Sequence, residues 1–409
     1  MGNEKPAPPN LPWMIKRNLA ILGSTQALLT IIVQTFVIHV PITITALGGS
    51  TTLAGLGTAL MWGGRLATTY KMGSLMDRVG RMPVIMSGMG LMAASAAVAG
   101  LSTAQTLLTI YLVVLVLFGV GRGMADYSRI AAGDMLPQEK RGLGTGILLS
   151  GSLVGTLATT PVVATVYSLV GEDSFSSIYY AVIPFAVAGF VAALAVRPDP
   201  LEIGQRYGEK FDGNTEHAVL RARSIGELMT PAVVFAYVSS AISTGVMVAF
   251  MSLGSLILHM HHVNITVISI VVTIHVIGMY AFSIPLGKAA DVLGRVSVTT
   301  AGVLLCAVGA FITAVGSSLT VVTVGMFLIG VGWSAATVAS LALISDETAA
   351  VERGKAFGFN DTAIAFASLA TPLLASAVLE QFGAFALGLA GLGSAAPALL
   401  SAARLRRRG

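Results

Sequence analysis

The chain has 409 residues, of which 55% are hydrophobic and 11% charged, with a formal net charge of +5 and a mean hydropathy of +0.83. Ordinary soluble domains carry about 25% charged residues, and a chain this apolar could not cover a water-facing surface with polar groups. A soluble enzyme, a disordered chain and a disulfide scaffold are excluded, since Cys306 has no second cysteine to pair with. What remains is an all-α integral membrane protein.

A membrane-crossing helix needs roughly 20 apolar residues. Residues 1–18 are polar and Pro-rich, with no secretory core or cleavage site, and form an expected cytoplasmic N-terminus. Twelve apolar runs follow, near 19–40, 51–72, 83–102, 105–128, 143–168, 177–196, 231–258, 266–287, 296–315, 319–342, 356–378 and 383–403. The widest polar gap, 197–230, splits them six and six. The expected organisation is a six-helix bundle at 19–196, a cytoplasmic connector at 197–230, a second bundle at 231–403 and a basic tail at 404–409.

Of the 24 Lys and Arg residues, 22 fall at the ends of expected spans or between them, Lys71 at the end of 51–72 among them, and Arg65 and Arg122 remain inside. The others, from Lys5, Lys16 and Arg17 to Arg404, Arg406, Arg407 and Arg408, all fall on one side, and the opposite loops hold none. The positive-inside rule then places both termini in the cytoplasm of a multi-pass plasma-membrane protein. The positive balance concerns topology, and no nucleic-acid partner is expected.

The halves echo each other at a nearly fixed offset. Gly73-Ser-Leu-Met-Asp77-Arg78-Val-Gly80-Arg81 returns as Gly287-Lys-Ala-Ala-Asp291-Val-Leu-Gly294-Arg295. Leu117-Phe-Gly119-Val-Gly121 returns as Leu328-Ile-Gly330-Val-Gly332, Asp134 with Arg141-Gly142 as Asp346 with Arg353-Gly354, and Pro161 as Pro372. Two six-helix repeats joined by a cytoplasmic loop suit a rocking transporter with a site near the bilayer midplane. The Gly73–Arg81 loop and its Gly287–Arg295 copy closely resemble the signature loop of the major facilitator superfamily. That resemblance covers almost the whole chain and implies a gating latch at Gly73, Asp77, Arg78, Gly80, Arg81, Gly287, Asp291, Gly294 and Arg295. A plain positively charged loop is the simpler alternative. The family's usual arginine early in the fourth span is absent, with Leu115 in its place.

Ionisable groups inside spans usually face a cavity or a partner. Arg122 and Asp126 stand four residues apart in the fourth span, with Arg129 three further on, on one helix stripe. Asp126 reads either as a relay for a coupling proton, as part of a substrate site, or as half of a structural ion pair. Arg65, in the second span, has no neighbour in sequence to pair with; Asp126 or an anionic substrate are its two candidates. Gln26, Gln34 and His39 give the first span a polar face.

The seventh span carries Met247-x-x-x-Met251 and the eighth His275-x-x-x-Met279. Each pair shares one helix face about 6 Å apart along the axis, and three thioethers with an imidazole make a soft set suited to Cu(I). His259, Met260, His261 and His262 follow at the expected outer mouth, as a collector of soft cations or an ordinary loop. Methionine is also a common filler of apolar cores. The MxxxM and HxxxM pairs, with Arg197-Pro-Asp-Pro-Leu after the sixth span, resemble the CcoA-like copper importers of the superfamily, a branch that includes proposed riboflavin importers. That resemblance implies copper uptake. Riboflavin or another small organic solute, proton-coupled drug efflux and a transporter-like sensor are the alternatives. No P-loop, Ser/His/Asp arrangement or H-E-x-x-H occurs, so neither an ATP-driven pump nor an enzyme is expected, and no cofactor.

Overall fold

The computed structural model describes residues 12–136, 141–172, 174–204, 224–348 and 352–406. Most of the expected connector (205–223), the tail residues 407–409 and the surroundings of Gly73 and of the Asp77 side chain lie outside the described residues. All the described regular structure is helical: α1 (Trp13–Ala46), α2 (Thr51–Val79), α3 (Arg81–Ala104), α4 (Leu108–Ala125), α5 (Ser128–Asp134), α6 (Arg141–Val170), α7 (Phe175–Leu194), α8 (Ile225–Leu228), α9 (Pro231–Met260), α10 (Ile265–Ala281), α11 (Ser283–Leu293), α12 (Arg295–Val315), α13 (Leu319–Glu347), α14 (Arg353–Gly393) and α15 (Ala396–Arg406).

Local chemistry sets the breaks. Ser50 accepts the Leu53 N–H at 3.3 Å and starts α2. Asn264 accepts the Thr266 N–H at 2.8 Å and starts α10, and Thr230 with Pro231 behind it starts α9. These side chains satisfy N–H groups that a helix start leaves open. Gly80 (φ +93°) and Gly294 (φ +91°) make the sharp α2–α3 and α11–α12 turns, in a backbone region that side-chain-bearing residues avoid.

Each of the twelve expected runs falls on a helix. Among the described residues nine helices are long and apolar enough to cross a bilayer, or ten with the α10–α11 pair, bent by 43°, taken as one span. The smaller count has two sources. The 356–378 and 383–403 runs lie in one stretch, 355–405, divided at Gly383 (φ +79°), and α2 is not among those counted. The helix α1 starts at Trp13 rather than residue 19.

Two bundles result. α3 packs on α4 and α7, α2 on α4, and α1 on α6 and α7; α13 packs on α9, α10 and α12, and α9 on α14. They meet where α2 touches α14, α6 touches α10 and α1 touches α9. Large apolar side chains such as Val113, Val154, Leu374 and Leu400 stay exposed on the outside, as hydrocarbon contact allows for helices whose backbone bonds close internally.

The repeated Gly-x-Gly is explained by this packing. A Cβ on Gly119 would lie 2.0 Å from the Met61 carbonyl oxygen of α2, and one on Gly121 2.9 Å from the Gly88 oxygen of α3. In the second bundle Gly330 would meet the His275 oxygen of α10 at 2.2 Å and Gly332 the Cys306 nitrogen of α12 at 2.5 Å. In each copy the first glycine admits one neighbour's backbone and the second another's. Helices in lipid associate by such close approach of small residues.

Among the described residues, the hydrogen bonds that join the bundles lie at the end away from the Gly80 and Gly294 turns. Thr58 meets Ser252 at 2.7 Å, Thr160 meets Thr273 at 3.0 Å, and Ser269 donates to Thr160 at 3.3 Å. Glu172 accepts the Ile265 N–H at 3.4 Å, and Glu380 accepts the Thr52 N–H. This sealed end contrasts with the loop end, where the signature turns lie.

Candidate functional site

Arg65 sits midway along α2 and Arg122 near the end of α4, with Asp126 one turn beyond it. Arg65 Nε donates to Asp126 Oδ2 at 2.9 Å, and Arg122 Nε lies 3.9 Å from the same oxygen. The partner that sequence could not choose for Arg65 is therefore Asp126. Both guanidinium carbons stand 4.9 Å from the Trp62 ring, which lies one turn before Arg65. Each cation over an indole gains about 0.5–2 kcal/mol, more where water is excluded. The three charged side chains keep 15–29% of their exposure, so they are partly screened.

The second bundle faces this cluster. Tyr280 of α10 lies within electrostatic reach of Arg122 and meets Trp333 edge-on at 6.2 Å. Trp333 donates to Thr244 Oγ1 at 3.0 Å. Asp361 of α14, exposed, lies within reach of Arg65 and Arg129. The region between the bundles thus carries three arginines, two carboxylates and three aromatic rings.

Sequence reasoning found Arg65, Arg122 and Asp126 but passed over Trp62 and Asp361. Trp62 was findable from its one-turn spacing to Arg65. Asp361 is an acid inside the expected span 356–378 and satisfies the same rule that singled out Asp126. Gln26 is a staple: it donates to Ser152 at 3.2 Å and accepts from Ser128 at 2.9 Å, binding α1 to α6 and α5.

The Met/His set occupies the apolar core. Met247 and Met279 are buried, and Met251 packs against the same core. His275 is fully buried; its Nδ1 lies 2.6 Å from the Met326 carbonyl oxygen of α13, which leaves Nε2 buried without a described partner. Cys306 is buried and donates to the Ile329 oxygen. Among the described residues no group of three or more His, Cys, Asp or Glu is placed to share a metal ion.

At the sealed end, His259, Met260 and His262 line an open cleft of about 570 Å³ with Val263, Asn264 and, from the other bundle, Glu172. His261 ends α9 and is not part of that lining.

The signature turns carry paired ion bridges. Arg81 Nε donates to Asp134 Oδ2 at 2.7 Å; its copy Arg295 donates to Asp346 Oδ2 at 3.2 Å and also pairs with Asp291. The Arg81–Asp134 and Arg295–Asp346 repeats, 53 and 51 residues apart, are thus two copies of one contact. The surroundings of Gly73 lie outside the described residues, and the Arg78 side chain makes no bond among them.

Comparison with known proteins agrees with this architecture. The Major Facilitator Superfamily profile matches residues 22–261 and 233–408. The chain is 26% identical over 351 residues to YdeG of Bacillus subtilis (strain 168), described as an uncharacterised MFS-type transporter, covering 84% of this chain and 81% of that one. Its fold is similar to that of the nucleoside transporter NupG (TM-score 0.73, 13% identity, 96% of this chain and 99% of that one). It is equally similar to a bacterial homologue of the lysosomal transporter Spinster, in an inward-facing and unoccupied conformation (TM-score 0.73, 12% identity, 96% of each chain). The chain belongs to the Major Facilitator Superfamily, as a multi-pass secondary transporter of a small solute and not an enzyme.

Proposed function

We propose that this transporter carries a small organic anion with a planar apolar body. The anion binds between the bundles on Arg65 and Arg122, with its apolar body against Trp62. The observation behind this reading is the pair of guanidinium groups over one indole, with a single carboxylate, Asp126, between them. Among the described residues the three arginines of this region, Arg65, Arg122 and Arg129, outnumber its two carboxylates, Asp126 and Asp361, which leaves the region net positive. Guanidinium forks bind carboxylates in a bidentate way, and aromatic walls suit a flat solute. Tyr280 and Trp333 supply a facing aromatic wall from the second bundle. With both termini in the cytoplasm, the sealed end is the outer face, and the described state opens inward.

The test is quenching of tryptophan fluorescence in the purified full chain by benzoate, a planar carboxylate. The expected result is saturable quenching whose amplitude Trp62→Phe reduces and whose affinity Arg122→Gln weakens about tenfold or more, the loss of one charge-assisted contact. Equal quenching in Arg122→Gln would overturn the reading.

Copper import is a second reading, favoured by one observation, the unpartnered Nε2 of buried His275. Met247, Met251, His275 and Met279 would carry the ion, with His259, Met260, His261 and His262 collecting it. Uptake of copper and of riboflavin, with a Met247→Ala/His275→Ala variant, separates this from the anion reading. Copper accumulation that the double change leaves intact removes it.

A further inference from the structure

The two signature turns are copies in sequence but not in their surroundings. Gly80 has no side chain with which to cap α3, and no residue beside it does so. The cap comes from 118 residues away: Asp199 Oδ1 accepts the Arg81 N–H at 3.1 Å and Asp199 Oδ2 the Met82 N–H at 2.9 Å. A carboxylate at a helix start satisfies open donors and complements the helix dipole. Asp199 is itself held in place, since its Oδ1 also accepts the Leu201 N–H at 2.9 Å. The segment around it is tied to α1. Asn18 donates to the Pro198 oxygen at 3.3 Å, and Arg17 donates to the Arg197 oxygen. A Cβ on Gly80 would sit 2.8 Å from Asp199 Oδ2, so only glycine leaves room for this acid.

The other turn has none of this. Gly294 likewise cannot cap α12, and a Cβ there would meet nothing within 4 Å. Among the described residues no acid accepts the first N–H groups of α12. Arg295 makes its ion pairs in a more open setting than Arg81: their side chains keep 26% and 11% exposure.

We propose that Asp199 is a positioning residue that fuses the start of the connector to the Gly80 turn, so that the loop-end gate has one fixed jaw, at Gly80, and one movable jaw, at Gly294. The segment around Asp199 then belongs mechanically to the first bundle. Asp199 acts through the backbone of Arg81, whose side chain it aims at Asp134. Gate movement at the loop end is carried by the second bundle's turn, and this holds whatever the solute is.

Hydrogen–deuterium exchange of the full chain tests this without a substrate. In the parent protein the amides of 81–82 exchange more slowly than those of 295–296. Asp199→Ala speeds exchange at 81–82 about fivefold to tenfold, the loss of one helix cap, and leaves 295–296 unchanged. Asp199→Asn, which keeps one acceptor oxygen, falls between. Spin labels at Val79→Cys and Val292→Cys, both exposed, give a distance distribution that Asp199→Ala widens and Asp199→Asn largely restores. Equal exchange of the two turns in the parent, or parental exchange at 81–82 in Asp199→Ala, overturns the proposal. So does an unchanged label distribution in Asp199→Ala.

Discussion

Asp126 is the residue on which the mid-depth charges depend, because it is the one described carboxylate bonded to both Arg65 and Arg122. Asp126→Asn removes the carboxylate that Arg65 and Arg122 share over one indole. Removing one partner of a fully buried pair costs about 3–5 kcal/mol; partial exposure here lowers the expectation to about 2 kcal/mol. Thermal unfolding of the purified variant measures it, and a parental midpoint would show that the pair is not holding the bundle. Arg65→Lys is not a silent change either, since an ammonium reproduces neither the planar stacking on Trp62 nor the Nε bond. These charges were legible in the sequence because ionisable groups stand out in apolar runs. For Arg65 the sequence offered Asp126 or an anionic substrate without choosing, because the pairing joins α2 to the end of α4 across about 60 residues. The Met/His pattern was equally legible, yet spacing along α9 and α10 says nothing about what His275 faces. It faces the Met326 carbonyl.

At the scale of elements, the four glycines of the repeated Gly-x-Gly are contact points between helices. Gly119→Ala and Gly330→Ala each drive a Cβ to within 2.2 Å of a neighbouring carbonyl oxygen, and overpacking of this kind typically costs about 1–3 kcal/mol. Gly146→Ala, which meets nothing within 4 Å, should be neutral or slightly stabilising in the same unfolding assay. The repeat was visible in the sequence as matching letters, and its cause only in the packing: α4 against α2 and α3, α13 against α10 and α12. The difference between the Gly80 and Gly294 turns was invisible, since both copies keep the same Gly, Asp, Gly and Arg positions and Asp199 lies far along the chain.

At the scale of the molecule, the hydrogen bonds between the bundles among the described residues concentrate at the sealed end, so that end should govern which face is open. Thr160→Val with Thr58→Val removes the side-chain bonds to Thr273, Ser269 and Ser252. A net contribution of about 0.5–1.5 kcal/mol per bond is enough to shift a two-state population several-fold. Spin labels at Gln105→Cys and Ser317→Cys should then show a larger fraction of long distances; an unchanged distribution would show that those bonds do not hold the end shut. The run of apolar helices was readable because bilayer thickness fixes helix length. The state of the gate was not, because both states use the same helices and differ only in which contacts across the bundles are made.

The claim that joins these scales is that a solute anion crosses by way of Arg122 and Arg65. Counterflow tests it most directly: proteoliposomes holding the full chain are loaded with unlabelled benzoate and given labelled benzoate outside. The account predicts a transient internal excess of label over protein-free vesicles, abolished by Arg122→Gln. No excess with the parent protein, or an equal excess with Arg122→Gln, contradicts it.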